Sequence, residues 1–176
     1  NEIKGNHPIY ACFGNHDYKA FRDDKEGLIQ YTKEIEQSGI QLLHNKTICM
    51  EKGSKKYSIT GIADMKYGDW NIEEALATRC KDADTILAFT HNPDAVLSMP
   101  PKSVEYLFTG HFHGGQVWLP FNLEFLTLRK EKLCRMGIRR NLHKVNDINI
   151  YINRGLGNVC LPIRFLSRPE ITVFLI

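Results

Sequence analysis

The chain has 176 residues, of which 43% are apolar and 24% are charged, close to the averages of globular proteins. This composition excludes a disordered tail, a collagen-like repeat and a coiled-coil rod, and no apolar run approaches the roughly 18 residues that a membrane span needs. The net charge of +3 is too small to indicate nucleic-acid binding. Five scattered cysteines without a CxxC pair predict free thiols and a reducing compartment, the cytoplasm.

The length predicts a single domain over residues 1–176, since a domain has roughly 150 residues. Hydrophobic periodicity predicts strands that alternate with helices, and therefore an α/β (α+β) chain. The predicted strands, in chain order, are 9–13, 41–43, 46–51, 56–62, 85–89, 105–109, 148–152 and 171–176. The predicted helices are 24–38, which Asp23 would cap, then 71–80, and a short one at 94–98.

Three of the predicted strands end in loops that begin with polar side chains. These loops are Gly14-Asn15-His16-Asp17, Thr90-His91-Asn92-Pro93 and Gly110-His111-Phe112-His113-Gly114-Gly115. The carboxyl ends of neighbouring strands in an α/β sheet meet at one crevice, where such sheets place their sites. We therefore expect the side chains of Asn15, His91, His111 and His113 to lie in one pocket.

The residue types in these loops suit metal binding and proton transfer. Imidazole is the commonest metal ligand, and an amide oxygen suits a hard or borderline cation. On an extended chain His111 and His113 would point the same way. His16 could protonate a leaving oxygen near neutral pH, with Asp17 to align it. Taken singly, each loop also fits a structural role, as turn residues, as a capping histidine at position 91 or as surface histidines.

The three loops in this order, each after a strand, resemble the motifs of the calcineurin-like metallophosphoesterase superfamily. The ending Arg154-Gly155-Leu156-Gly157, Pro162-Ile163-Arg164 and Arg168-Pro169-Glu170-Ile171 resembles one branch of it, made up of bacterial phosphohydrolases of which several are tethered to the cytoplasmic membrane. The resemblance implies a two-sheet β-sandwich flanked by helices, with a site for two metal ions at the strand ends.

The resemblance also implies a role for each candidate residue. One divalent ion would be held by Asn15, His91 and His111, and His113 would reach the second. The ions would be Mn, Fe or Zn, and would activate a bridging water against a phosphomonoester or a phosphodiester. His16, paired with an acid, would donate a proton or stabilise the transition state. Arg154 could clamp a phosphate, with a structural ion pair as the alternative.

The sequence departs from the family pattern at its beginning. The family also has an Asp-x-His and a Gly-Asp-x-x-Asp motif before Gly-Asn-His, yet only 13 residues precede Gly14 and none is Asp. We therefore expect the C-terminal portion of a metallophosphoesterase domain, without its N-terminal strands, with one partial metal site and little activity. The alternative is a non-catalytic binding or scaffold module with a vestigial metal site. Open strand edges predict some self-association.

Residues 119–144 are predicted to form a basic and apolar cap segment. Seven basic residues oppose only Glu124 and Glu131 there, among many apolar side chains. Such a segment suits an acidic lipid headgroup or an anionic membrane surface, with a solvated loop as the alternative. We therefore expect a lipid-linked or nucleotide-diphosphate ester as substrate, and an anchor outside this sequence for any membrane association. No nucleic-acid motif accompanies the charges, so no specific nucleic acid is expected.

Overall fold

The computed structural model describes residues 7–117, 130–159 and 162–176, and the chain divides into two compact units. The first unit is Asn1–His91 and the second is Asn92–Ile176, and each is described by itself. Both contain strands and helices, which confirms the predicted α/β class. A single domain over residues 1–176 stays a prediction.

Between residues 7 and 91, the part of the first unit that the structure describes, there are two sets of paired strands and three helices. Its elements are β1 (Ile9–Ala11), α1 (Asn15–Ala20), α2 (Lys25–Gln37), β2 (Ile40–Leu42), β3 (Lys46–Lys52), β4 (Lys55–Gly61), α3 (Ile72–Ala77) and β5 (Thr85–Phe89). Strands β1 and β2 pair in parallel, with Ile9 opposite Ile40. In the other sheet β4 pairs antiparallel with β3 and parallel with β5. Two sheets flanked by helices are what the sequence predicts.

Short-range hydrogen bonds explain where the helices of this unit begin. The carboxylate of Asp24, not that of Asp23, accepts the hydrogen bond from Gly27 N at 2.8 Å, so α2 starts one residue later than predicted. Gly39, at φ 91°, follows the end of α2 in the left-handed region that favours glycine. Helix α1 was not predicted, because its six residues are too few to show helical periodicity.

The second unit is built around a central buried strand. Its elements are a 3₁₀ turn (Pro93–Ser98), β6 (Tyr106–Thr109), a second 3₁₀ turn (His113–Gly115), α4 (Lys132–Arg135), β7 (Asn141–Val145) and β8 (Ile148–Ile152). Strand β8 pairs in parallel with β6 and antiparallel with β7. Ile148, Ile150 and Ile152 of β8 are fully buried, as strand alternation requires.

The predicted strand at 171–176 is wrong, although its alternation is real. The segment is extended but belongs to no sheet among the described residues. Phe174 packs on Phe108, with ring centroids 4.7 Å apart, while Ile171 and Val173 are more than three-quarters exposed. The tail therefore binds the unit through alternate side chains, without a backbone ladder.

Only part of the predicted cap segment, 119–144, falls within the described residues. Residues 118–129 lie outside them, and 130–144 contain α4 and most of β7. Leu133 and Cys134 of α4 are fully buried, so these two apolar side chains of the segment belong to the core. The carboxylate of Asp94 accepts hydrogen bonds from Lys132 N and Leu133 N, at 2.7 and 2.9 Å, and fixes the start of α4.

A disulfide bond corrects the prediction that the cysteines are free thiols. Cys49 of β3 is bonded to Cys80, which follows α3, whereas Cys12 and Cys134 are free. The 31-residue separation hides the pair in the sequence, because only the fold places β3 beside the end of α3. Within the described ranges, no helix has both the length and the apolar character to cross a membrane. A cytoplasmic location stays a prediction.

We expect reduction of the Cys49–Cys80 bond to lower the free energy of unfolding by about 3–4 kcal/mol, since the bond restricts a 31-residue loop of the unfolded chain. Urea unfolding with and without reductant measures the loss. The Cys49→Ser/Cys80→Ser variant should match the reduced protein and show no response to reductant. Alkylation of both cysteines in the oxidised native protein would contradict the assignment.

Candidate functional site

In the first unit, the structure brings two of the predicted metal ligands into contact. Asn15 is the first residue of α1 and is buried, and His91 follows the end of β5. The Asn15 Oδ1 and His91 Nε2 atoms are 2.8 Å apart, although the residues are 76 positions apart in the chain. The convergence of strand-end side chains is therefore observed within this unit.

Gly14 makes room for this contact. A Cβ atom at Gly14 would lie 2.7–2.9 Å from three atoms of the His91 ring, closer than real Cβ atoms approach a neighbour. Any side chain at position 14 would push the imidazole away from Asn15. The glycine before the Asn-His pair is thus required by packing against the histidine.

The 2.8 Å distance between Asn15 Oδ1 and His91 Nε2 fits two ligand atoms of a single divalent ion. An ion with bonds of about 2.1 Å places adjacent ligands roughly 3 Å apart in octahedral geometry. Without an ion, His91 Nε2 carries the proton that Asn15 Oδ1 accepts, because an amide oxygen is only an acceptor. An ion bound through both atoms would take the place of this proton, which a neutral ring would then carry on Nδ1. The donor set therefore fits a metal.

His16 and Asp17 follow Asn15 on α1 but face different partners. His16 is exposed, whereas Asp17 Oδ2 accepts a hydrogen bond from Gly14 N at 2.8 Å. Tyr31 lies 3.5 Å from the other carboxylate oxygen, and no hydrogen bond joins Asp17 to His16 within 7–117. Asp17 therefore holds the turn that carries Asn15. The predicted proton-donor role of His16 stays a prediction.

In the second unit, His111 is paired with an acid that sequence reasoning did not assign to the site. His111 Nε2 lies 3.1 Å from Oε1 of Glu131, the residue before α4, and both side chains are largely buried. Because a carboxylate only accepts, His111 Nε2 carries a proton, and in a neutral ring the lone pair is then on Nδ1. A carboxylate on the other nitrogen is the usual support of a metal-binding histidine.

The expectation that His111 and His113 lie on an extended chain is wrong. Both have positive φ, 63° and 53°, as does Gln116 at 52°, and a 3₁₀ turn spans His113–Gly115. Residues with a Cβ atom adopt this left-handed backbone conformation rarely and at a cost in free energy. Such conformations cluster at functional sites, where neighbouring hydrogen bonds hold them.

His113 and Arg154 each contact a residue near the C-terminal end of the chain, Gly157 and Glu170 respectively. His113 Nδ1 lies 3.0 Å from the carbonyl oxygen of Gly157. Arg154 forms an ion pair with Glu170, which is the structural role that the sequence analysis gave as the alternative for this arginine. The role of Arg154 toward a phosphate stays a prediction. Burial raises the pKa of Glu170, but hydrogen bonds from Thr172 and Tyr151 and the pairing with Arg154 outweigh it and lower that pKa.

Asn15 and His91 belong to the first unit, whereas His111 and His113 belong to the second. A pocket that contains all four side chains together therefore stays a prediction. Across 7–117, 130–159 and 162–176, no three His, Cys, Asp or Glu side chains form a cluster that could hold a metal ion.

Sequence reasoning also missed Asp64, a fully buried residue just after β4. Its Oδ1 accepts hydrogen bonds from Lys66 N and Tyr67 N, both at 3.0 Å, whereas its buried Oδ2 has no hydrogen-bond partner in the described residues. Asp64 follows β4 much as His91 follows β5, so the strand-end rule that selected His91 could also have selected Asp64.

The family model for calcineurin-like phosphoesterases matches residues 1–115. The chain belongs to this family. The match includes Asn15, His16, His91, His111 and His113, and the fold of the described residues agrees with it.

Curated relatives carry the same family name or the name of a phosphoesterase activity. The metallophosphoesterase YkoQ of Bacillus subtilis is 33% identical over 171 residues, 97% of this chain and 61% of its own length. The phosphodiesterase YaeI of Escherichia coli is 28% identical over 94% of this chain and 57% of its own length. The UDP-2,3-diacylglucosamine pyrophosphatase LpxG of Chlamydia muridarum is 28% identical over 79% of this chain and 42% of its own length.

The chain of this calcineurin-like phosphoesterase thus spans about half the length of the curated relatives it matches. No solved structure matches it.

We expect Gly114→Ala to lower the free energy of unfolding by about 2–4 kcal/mol, because it combines a left-handed φ of 58° with overpacking. The added Cβ would lie 2.5 Å from Arg154 Cγ and 2.8 Å from Ser167 Oγ. Gly155→Ala is the matched control: Gly155 has φ 67° but no atom within 4 Å, so it should lose only about 1 kcal/mol. Equal losses in urea unfolding would show that the close packing at Gly114 is unimportant.

Burial, with the nearby Asp64 and Asp17 carboxylates, raises the pKa of the Cys12 thiol to about 12. Between pH 9 and 12 the unfolded chain ionises this thiol and the folded chain does not, so stability should fall as pH rises through that range. We expect iodoacetamide at pH 9 to modify Cys12 in concentrated urea but not in the native protein, as peptide mass spectrometry would show. Equal modification under both conditions would refute the shift.

Proposed function

We propose that the protein hydrolyses phosphate esters at a centre of two divalent metal ions to which this chain contributes Asn15, His91, His111 and His113. The observation that carries the proposal is the 2.8 Å spacing of Asn15 Oδ1 and His91 Nε2, which suits one ion. The family match supports the reaction class. Mn, Fe and Zn all suit these nitrogen and oxygen ligands.

Bound divalent ions would supply an activated water and neutralise charge on the phosphoryl group. The residues of this chain would bind, orient and move protons around that chemistry. Asn15 and His91 would hold one ion together with His111, whose Nε2–H donates a hydrogen bond to Glu131. His113 would reach the second ion. His16, exposed at the start of α1, would protonate the leaving oxygen.

The proposed substrate is a lipid-linked or nucleotide-diphosphate ester. The LpxG relative is named for a pyrophosphatase activity on a diacylglucosamine nucleotide, and the YaeI relative for a phosphodiesterase activity. In this chain Met136 and Leu142 are more than half exposed within the basic segment, as contact with acyl chains requires. We propose peripheral contact of this segment with an anionic membrane surface.

In the full-length protein we expect His111→Ala to lower Mn²⁺-dependent hydrolysis of bis-p-nitrophenyl phosphate by more than about 100-fold. Loss of a residue that only hydrogen-bonds a metal ligand typically lowers activity by about 10- to 100-fold, and loss of the ligand itself should lower it at least as much. His7→Ala, which removes an exposed histidine that belongs to none of the three motifs, is the matched control and should keep full activity.

Mn²⁺ affinity, measured by calorimetry on the same proteins, separates the two candidate functions. A catalytic centre predicts that affinity and hydrolysis fall together in His111→Ala. Metal binding without hydrolysis in the unsubstituted protein would favour the binding module, and equal rates in all three proteins would exclude catalysis at this site.

A further inference from the structure

One guanidinium, that of Arg164, joins described residues of the segments 154–159 and 162–167 to the backbone of His113. It reaches the main-chain oxygens of His113 (3.3 Å), Arg154 (2.9 Å), Gly155 (3.3 Å), Gly157 (2.5 Å) and Ser167 (3.1 Å), and Oδ1 of Asn158 (3.1 Å). A guanidinium has five N–H groups in a rigid plane, so these six acceptors share its donors. Arg164 therefore fixes these segments on the turn that carries His113.

The backbone of His113 is held from several directions. Its carbonyl oxygen accepts hydrogen bonds from Gln116 N and Ser167 Oγ, both at 3.0 Å, as well as from Arg164. Because His113 has φ 53°, its backbone would relax to a negative φ without such restraints. The donors thus stabilise a conformation that a histidine does not adopt by preference.

The imidazole of His113 is oriented by the same network. Its Nδ1 lies 3.0 Å from the Gly157 carbonyl oxygen, which can only accept, so Nδ1 carries a proton and, in a neutral ring, Nε2 carries the lone pair. Arg164 Nη2 lies 3.5 Å from the same Nδ1, but two donors cannot bond to each other. The contribution of Arg164 is to hold the Gly157 oxygen where Nδ1–H meets it.

We infer that Arg164 is a positioning residue that fixes His113 as the Nδ1–H tautomer and presents Nε2 for metal binding. The metal role of Nε2 rests on the proposed function, whereas the tautomer follows from the hydrogen bonds alone. Lysine cannot replace the arginine, because an ammonium group lacks the planar fork that spans the carbonyls of His113 and Gly157.

The ring nitrogens of His113 report the tautomer directly in ¹⁵N NMR of the full-length protein without metal, with signals assigned by comparison with His113→Ala. We expect a protonated Nδ1 and an unprotonated Nε2 in the unsubstituted protein. Arg164→Lys should mix the two tautomers and lower Mn²⁺ affinity about 10- to 100-fold, the usual effect of losing an outer partner of a ligand.

Two control variants separate positioning from general loop stability. Arg168→Lys makes the same change at an exposed arginine of the same segment and should leave the His113 signals and Mn²⁺ affinity unchanged. Ser167→Ala removes another donor to the His113 carbonyl but leaves Arg164 in place, so the tautomer should persist.

Two results would overturn the inference: an Nε2–H tautomer in the unsubstituted protein, or an unchanged His113 spectrum in folded Arg164→Lys. If Arg164→Lys does not fold, the tautomer of the unsubstituted protein decides. A protein that bound no Mn²⁺ but gave the expected spectra would contradict the proposed function and the metal role of Nε2, and would leave the fixing of the tautomer by Arg164 standing.

Discussion

The hydrogen bond between Asn15 and His91 connects the start of α1 to the end of β5 and shapes the first unit's part of the site. Two residues of the same motif, Gly14 and Asp17, support this contact. Asp17 accepts the Gly14 N–H and fixes the turn, and Gly14 leaves space for the imidazole ring. The Gly-Asn-His-Asp sequence therefore has a packing role besides the ligand role proposed for Asn15, because each of its residues except His16 has a defined contact that keeps Asn15 on His91.

The second unit positions its histidines differently. There the backbone itself is in a high-energy conformation at His111 and His113, and at His113 hydrogen bonds from outside the motif maintain it. Glu131 supports the His111 ring, and Arg164 holds the carbonyls around His113. One half of the proposed centre thus relies on close packing against a glycine, and the other on a network of donors to main-chain oxygens.

The sequence predicts those features whose physical signals are local. Alternating apolar residues identify β4 and β8, a continuous apolar run identifies β5, and the polar residues after the strands identify Asn15 and His91 as candidates. The Cys49–Cys80 bond, the Glu131–His111 pair and the hydrogen bonds of Arg164 all join segments distant in sequence, and no local pattern encodes such contacts.

Some errors arose where a local signal was real but another interaction decided the outcome. The tail at 171–176 alternates as a strand does, yet its inward side chains pack on β6 and β8 without backbone pairing. His111 and His113 are spaced as on an extended strand, but glycines at 114 and 115 allow a turn, and the turn carries the histidines into the left-handed region.

The left-handed backbone conformation of His111 and His113 costs free energy, whereas their imidazoles serve the proposed metal centre. Any engineering of this protein therefore has to weigh its stability against the proposed activity. Glycine at position 111 would leave the largely buried Glu131 without the His111 imidazole as partner. Glycine at position 113 would relieve backbone strain of about 1 kcal/mol or more, so a selection for heat resistance alone would favour it. The same replacement would remove an imidazole from the proposed centre. Thermostable variants chosen without an assay for turnover would therefore tend to be inert, and a directed-evolution experiment has to score both properties in every round.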